Sequence, residues 1–221
     1  STLDLDQVPQ KNAANTFTSG QNITVPGNGG LTIQAGTNGS ASLRLKNDAT
    51  DWDVNCQTTD NFAIYNHTTG GNRLGITPAG IVTTPSQPGF RVYRNTAQTL
   101  SADSAVVVQL DTKLYDIGNN FNTSTHRFTA PVTGMYMFTG HILFDTSATL
   151  HRGQANLLKN GSRLAATQIA LGGNNHCGGV FSSLGKLNAG DYIELQGQSE
   201  THGGSFYGSS DWTYLSGFLI G

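Results

Sequence analysis

From residue 90 onward, hydrophobic and polar positions alternate along the chain. A period of two is typical of β-strands that bury one face. Between Gly134 and Phe144 both faces are apolar, because Met135, Met137 and Leu143 lie opposite the aromatic residues. A strand of this kind lies between two packed layers, or between a sheet and a partner chain. The alternating sets are Val106/Val108/Leu110, Tyr136/Phe138/Ile142/Phe144, Ile193/Leu195 and Tyr214/Ser216/Phe218/Ile220.

Turn signals separate these strands, and no helical period interrupts them. Asn160-Gly161 lies between apolar runs in "NLLKNGSRL". This dipeptide is favoured in hairpin turns whose residues need positive φ. We expect about ten strands in roughly 130 residues, which indicates an all-β fold with a C-terminal jelly-roll sandwich.

A second, weaker pattern covers residues 22–83. Short alternating runs recur about every ten residues, as in serial strands and turns. Each strand offers two or three core residues per face, which makes a single copy marginal and favours chain association. The runs are Leu31/Ile33/Ala35, Leu43/Leu45, Trp52/Val54/Cys56, Phe62/Ile64 and Leu74/Ile76.

The chain divides into four segments. Residues 1–21 have few large apolar residues and no period, so we expect an N-terminal tail that orders only on a partner. Residues 22–84 form a β-rich module. The Pro/Gly-rich residues 85–89 are interpreted as a hinge, and residues 90–221 form the sandwich, called the head below.

The composition narrows the functional classes. The chain has 12 Lys and Arg, 14 Asp and Glu and a formal net charge of −2, so it offers no basic field for nucleic acid. Its longest apolar run, about four residues, is far below the ~18 of a membrane-spanning helix, so no membrane insertion is expected. The start does not resemble a signal peptide. Cys56 and Cys177 are expected to be free thiols, although their redox state stays open.

The upstream module resembles the shaft and neck modules of bacteriophage tail and head fibres. The stretches that carry this likeness are "LRLKNDATDWDV" and "NFAIYNHTTGGNRLGITPAGIV". Such modules are typically trimeric, so the likeness implies a stalk. A small independent β-domain is the alternative interpretation.

The head resembles the globular heads of complement component 1q and the tumour necrosis factor relatives. Four stretches carry this likeness in the right order: "YDIGNNFNTSTHRFTAPVTGMYMFTGHILF", "LLKNG", "KLNAGDYIEL" and "FYGSSDWTYLSGFLIG". The resemblance implies a compact homotrimer that is apolar along its axis. We expect Gly217 to leave room where subunits approach. The residues assigned to the core or the trimer contact are Tyr136, Phe138, Phe144, Leu215, Phe218 and Ile220, with Tyr136 and Phe218 in the packed interior.

We expect neither catalysis nor a cofactor. The sequence has no G-x-S-x-G, H-E-x-x-H, P-loop or paired-cysteine zinc pattern. Glu194 and Glu200 straddle a strand end with no aromatic-walled cleft evident between them, unlike the carboxylate pair of a glycosidase. No catalytic residue is therefore assigned.

Strand alternation locates a candidate binding surface. If consecutive strands run antiparallel, loops 145–153, 171–178 and 199–211 lie at the pole far from the stalk, whereas Asn160-Gly161 and residues 188–190 face the stalk. Exposed loops on a rigid scaffold commonly carry recognition, and their amide, imidazole and aromatic groups suit neutral sugars. The candidates are His151, Arg152, Asn174, Asn175, His176, His202, Tyr207 and Asp211, each of which could instead be an ordinary turn residue.

Metal sites are weighed and not assigned. Three histidines at one pole could meet on a threefold axis, but nothing fixes their separation. Asp145 and Asp211 are a thin oxygen set for calcium. Asp48, Asp51 and Asp53 lack the EF-hand glycine and terminal glutamate, so they are expected to be solvated turn residues.

Two functions remain open. In the first, the chain is a homotrimeric phage fibre on the virion surface, with its tail docked on a virion structural protein and its head bound to a host-surface glycan or protein. In the second, it is a structural capsid or tail decoration without receptor binding. A secreted bacterial adhesin is a third interpretation, weakened by the start of the chain. The host, the receptor, the site of attachment to the particle and the presence of an axial ion stay open.

Overall fold

The structure is a computed structural model that describes residues 33–145, 152–170, 176–200 and 203–221. In these residues the chain forms eighteen β-strands and no helix. The predicted N-terminal tail and the strand around Leu31 lie outside the described residues. The strands form one sheet in the upstream module and two in the head.

The upstream module, here called the stalk module, is a five-stranded antiparallel meander in sequence order. Its turns use residues that tolerate positive φ, such as Asp60 and Gly80. Asn47 closes the first turn, where its side-chain oxygen accepts hydrogen bonds from the amides of Ala49 and Thr50. The strands are β1 (Ala41–Lys46), β2 (Asp51–Cys56), β3 (Phe62–Asn66), β4 (Asn72–Ile76) and β5 (Val82–Thr83).

One face of the stalk sheet is apolar and stays exposed in the single chain. The register aligns Leu43, Val54, Ile64 and Leu74 in one cross-strand row. Leu43 is about half exposed, and so are several neighbours on this face. A five-stranded sheet with one uncovered apolar face needs another layer to exclude water.

The head is a two-sheet sandwich. The first sheet has the order β7-β17-β12-β18-β6-β9, with β15 paired to β12, and the second has the order β10-β11-β16-β13-β14, with β8 paired to β16. The strands are β6 (Gly89–Tyr93), β7 (Gln98–Leu100), β8 (Ser104–Val107), β9 (Thr112–Ile117), β10 (Phe121–Asn122), β11 (Arg127–Thr129), β12 (Gly134–Asp145), β13 (Arg152–Lys159), β14 (Ser162–Ala170), β15 (Cys177–Leu187), β16 (Tyr192–Ser199), β17 (Gly204–Phe206) and β18 (Tyr214–Leu219).

The head core is aromatic. Phe90 stacks on Phe128 with 4.5 Å between ring centroids, and Tyr136 and Phe138 extend the same cluster. The Tyr136 hydroxyl donates a hydrogen bond of 2.8 Å to the Val132 carbonyl, so its burial leaves no orphaned polar group. Tyr136, Phe138, Phe144 and Leu215 are all buried in the single chain, where the sequence pattern assigns them.

One assignment on the last strand is wrong: Phe218 does not lie in the packed interior, whereas a trimer contact for Phe218 and Ile220 stays a prediction. In β18 the side chain of Leu215 and the Cα of Gly217 face the core. Phe218, the next residue along the strand, therefore points outward and is 51% exposed. Ile220, just beyond the strand, is 49% exposed. A Cβ on Gly217 would meet the Phe138 ring at 2.6 Å, so this glycine makes room for a core aromatic ring rather than for another subunit.

The segment interpreted as a hinge is held against the head. The Gln87 side-chain amide donates to the Leu219 carbonyl (2.5 Å), and the Leu219 amide donates to the Pro88 carbonyl (3.0 Å). Gly89 already belongs to β6. The chain therefore enters the head beside its own last strand, and these bonds restrict free rotation at that point.

We predict that Phe138→Ala lowers the free energy of unfolding by about 3–5 kcal/mol, because it leaves a cavity among stacked rings. Chemical denaturation followed by tryptophan fluorescence measures this loss. Leu114→Ala is the control, since Leu114 is 61% exposed and its removal is expected to cost under about 0.5 kcal/mol. Equal losses in the two variants would contradict the assigned core.

Candidate functional site

The outer face of the first head sheet carries an apolar row. Met137 pairs with Leu184 on one side and with Phe218 on the other. Leu184 is 58% exposed and Phe218 is 51% exposed, so the two cross-strand neighbours of Met137 are apolar side chains that face solvent in the single chain. Contiguous exposed apolar side chains on a soluble domain mark a protein contact surface.

A polar and aromatic row lies beside it. The Arg91 guanidinium stacks over the Tyr214 ring at 3.9 Å, and its Nη2 donates to the Ser210 carbonyl (3.1 Å). The His141 ring lies next to Tyr214, and its Nδ1 contacts the Trp212 carbonyl. These contacts fix long side chains in place on an otherwise open sheet face.

The strand ends define two poles. The Met135 amide donates to the Gly221 carbonyl (2.6 Å) and the Ala189 amide donates to Thr133 Oγ1 (3.0 Å), so the C-terminus and the 188–190 turn lie at the stalk pole. Strands β12, β14 and β16 end at the opposite pole, where β13 and β15 begin. The predicted loops 145–153, 171–178 and 199–211 join these strand ends in sequence, and residues 146–151, 171–175 and 201–202 of them lie outside the described residues.

At the distal pole the structure brings His176 and Tyr207 together. Their rings meet edge to face with 5.4 Å between centroids, and His176 Nδ1 lies 3.5 Å from Asp145 Oδ1. The Tyr207 amide donates to the Leu143 carbonyl (2.8 Å), which ties this residue to the end of β12. His176 and Tyr207 are exposed. Asp145 was not among the assigned binding residues; its position at the end of a predicted strand was the available signal.

Arg152 and Asp211 occupy separate places in that region. Arg152 Nε lies 3.1 Å from Glu200 Oε2, so this guanidinium has a carboxylate partner that the sequence analysis had weighed only as a catalytic group. Asp211 Oδ1 accepts a hydrogen bond from Ser210 Oγ (3.2 Å), and the Asp211 amide donates to Ser209 Oγ (3.4 Å). His151, Asn174, Asn175 and His202 lie outside the described residues.

Two aspartates of the stalk module, Asp51 and Asp53, contact basic side chains. Arg44 contacts both oxygens of Asp51 (2.7 and 2.5 Å), and this hydrogen bonding lowers the pKa of the Asp51 carboxyl. Asp53 is buried and its Oδ2 lies 2.7 Å from His67 Nε2, so the expectation of solvated turn residues is wrong for both. Within the described ranges, no group of three or more His, Cys, Asp or Glu is placed to hold a metal ion.

Asp191 joins two turns at the stalk pole. Its carboxylate accepts hydrogen bonds from Asn160 Nδ2 (2.7 Å) and the Asn188 amide (2.8 Å), and Lys159 Nζ lies 2.9 Å away. The Asn160 side-chain bond, followed by the Asn188 and Lys159 contacts, lowers the pKa of Asp191 to about 2. This carboxylate therefore locks the hairpin turn to the 188–190 turn.

A family model for the C1q domain matches residues 89–220. This chain belongs to the C1q domain family. The match takes in every head strand from β6 to β18 and leaves out the stalk module. C1q/TNF-like domains form homotrimers.

Curated relatives match the C1q domain over part of their length. Caprin-2 of Danio rerio is 34% identical over 108 residues, which are 48% of this chain and 11% of that protein. Complement C1q and tumor necrosis factor-related protein 9 of Mus musculus is 31% identical over 116 residues, 51% of this chain and 33% of that protein. For protein 9B of Homo sapiens the values are 32%, 119 residues, 53% and 34%. The chain thus spans about a third or less of these relatives.

Solved structures also align with part of this chain. The globular domain of zebrafish complement 1qA protein aligns with a TM-score of 0.43 and 20% identity, covering 61% of this chain and 98% of that one. Murine APRIL at pH 5.0 aligns with a TM-score of 0.49 and 11% identity, covering 61% and 99%.

The described part of the C1q-type chain contains no helix long and apolar enough to cross a membrane.

We predict an acid-dependent loss of stability that depends on Asp191. Its folded-state pKa of about 2 lies below the ordinary value of 3.8, so its contribution is complete above pH of about 4 and is lost as the pH falls towards 2. Thermal unfolding of the wild type and Asp191→Asn across pH 2–6 measures this. The stability difference between them should shrink with falling pH, and a difference that stays constant would contradict the assignment.

Proposed function

We propose that this C1q-type chain is a subunit of a homotrimeric fibre whose distal pole attaches to a receptor. The observation that carries the proposal is that three surfaces of the head differ in chemistry. One sheet has an exposed apolar row, the chain enters at one pole, and exposed polar and aromatic groups lie at the other pole. We further propose that the fibre belongs to a bacteriophage virion and that its receptor is a host-surface glycan or protein.

The head surfaces support assembly. Three copies that pack through Met137, Leu184 and Phe218 would remove these side chains from water, which is favourable at roughly 25 cal/mol per Å² of apolar surface. The row lies on the sheet that contains β6, where the stalk module enters. Assembly through this sheet leaves the outer face of the second sheet in solvent.

The stalk module supports the same stoichiometry. Its exposed apolar face has no cover in the single chain, and three associated heads hold three stalk modules at high local concentration. Packing of Leu43, Val54 and their row against two other copies would supply the missing layer.

The virion setting is supported by the sequence resemblance of the stalk module to phage shaft modules. The curated relatives named above are vertebrate proteins that match about half of this chain. In this proposal residues 1–21 dock on a virion structural protein, and the chain has no catalytic role and needs no cofactor.

We predict that Phe218→Asp prevents trimer formation without unfolding the head, because the charge would enter an apolar contact and Phe218 is outside the core. Analytical ultracentrifugation at micromolar concentration measures the mass. Tyr207→Asp at the distal pole is the matched control and should remain trimeric. A Phe218→Asp trimer of wild-type stability would exclude this sheet as the contact.

We predict that excess full-length protein competes with adsorption of the phage to its host, and that His176→Ala and Tyr207→Ala weaken this competition. Each site is expected to bind weakly, and trivalent contact can raise apparent affinity by about 10²–10⁴, so moderate losses per site become visible. Ser162→Ala in the stalk-pole hairpin is the control. Adsorption that excess wild-type protein leaves unchanged would favour the structural decoration function instead.

A further inference from the structure

The outer face of the second head sheet carries amides in register. Gln154 on β13 pairs with Gln168 on β14 and with Gln198 on β16, which gives one cross-strand row. In the next row Asn156 pairs with Ala166 and with Gln196. Residues between these positions, such as Ala155 and Leu157, are buried in the core, so the amides share the outward face.

Two ion pairs frame these rows. Arg152 pairs with Glu200 at the distal end (3.1 Å), and Gln154 Nε2 donates to Glu200 Oε1 (3.3 Å). Towards the stalk pole Arg127 Nε donates to Glu194 Oε1 (2.8 Å), and its guanidinium stacks over the Tyr192 ring at 4.0 Å. The amide rows between these two pairs hold no charged side chain, and exposed Arg163 on β14 borders them opposite Leu158.

Asn156 lies in these rows but is buried, and one of its side-chain atoms has no hydrogen-bond partner within the described chain. It is 0% exposed, its Nδ2 donates to Gln196 Oε1 (3.1 Å), and its Oδ1 has no hydrogen-bond partner among the described residues. A buried amide oxygen without a partner costs free energy comparable to a lost hydrogen bond. The neighbouring glutamines are long and flexible, so a hydroxyl group that displaces one of them would satisfy this oxygen.

The face continues into a depression. Val107 on β8 pairs with Gln196, and it also lines a depression of about 670 Å³ together with Gln98, Gln109, His126 and Glu194. The His126 Nδ1 contacts the Leu110 carbonyl (3.0 Å), which fixes the ring at the rim. Ala105 lies beside Gln198 on one edge of the amide rows and Ala166 lies beside Asn156 on the other. Their small side chains do not project above the amides.

We propose that this face, here called the amide face (Gln154, Asn156, Gln168, Gln196 and Gln198), binds a neutral glycan chain. Planar amides present one donor group and one acceptor each, which matches the adjacent hydroxyl groups of an uncharged sugar. An extended peptide instead gains its affinity from a free strand edge, whereas β13 and β16 have partners on both sides. This inference rests on the proposed attachment function, because a glycan is one of the receptor classes proposed there. The amide face is nevertheless a different surface from the His176–Tyr207 pair at the distal pole.

The test uses full-length trimer on an array of neutral, sialylated and sulfated oligosaccharides. Gln198→Glu replaces an amide donor by an isosteric acceptor, and Gln154→Ala/Gln196→Ala removes two amides. We expect neutral glycans to be bound and each variant to lose about tenfold or more in apparent affinity, since each removes one or more hydrogen bonds and trivalency multiplies the loss. Ser162→Ala in the stalk-pole hairpin is the matched control and should keep neutral-glycan binding, and Tyr207→Ala reports separately on the distal pole.

Thermal unfolding and sedimentation verify that each variant folds and stays trimeric. The isosteric Gln198→Glu keeps the comparison valid if the double variant fails to fold. Neutral-glycan binding that survives both amide-face changes but is lost in Tyr207→Ala would overturn the amide face and leave the attachment function standing. The absence of neutral-glycan binding by wild-type trimer that still competes with adsorption would have the same meaning. Loss of adsorption competition with retained neutral-glycan binding would instead refute the attachment function alone.

Discussion

The apolar character of both faces of β12 is the constraint on which the structure depends. Towards the inside it places Tyr136, Phe138 and Phe144 in an aromatic core that closes the two-sheet sandwich. Towards the outside it places Met137 between Leu184 and Phe218, where no other part of the described chain covers them. The inner face is satisfied by folding and the outer face only by association, so a single strand links the tertiary and quaternary levels.

The second head sheet also has an inner and an outer face, but its outer face is polar. Its inner positions supply aliphatic residues to the shared core, whereas its outer positions carry amides and paired ions that water can solvate. The apolar outer face of the first sheet therefore suits contact with another copy of the chain, whereas the polar outer face of the second sheet suits a polar ligand. The C1q family assignment agrees with this arrangement, since C1q/TNF-like domains form homotrimers.

Much of the fold could be predicted from the sequence, because strong alternation and Asn-Gly turns are local signals. Both apolar faces of β12 and the position of the distal loops follow from them. The last strand was misassigned because Tyr214, Ser216 and Phe218 alternate as regularly as a core face does, and only packing shows that Gly217 is the inward position. The partners of Asp53 and Arg152 involve residues far apart in sequence, so no local pattern indicates them. The rest of the candidate site was predicted only as a region: strand alternation placed His176 and Tyr207 at one pole, but their edge-to-face contact depends on the β12–β17 pairing.

The attachment of Gln87 and Pro88 to Leu219 has a mechanical consequence. These hydrogen bonds join the connecting segment to the last strand of the head, so a force applied along that segment is divided between the covalent chain and β18. The segment and the head would therefore respond to a load as one unit.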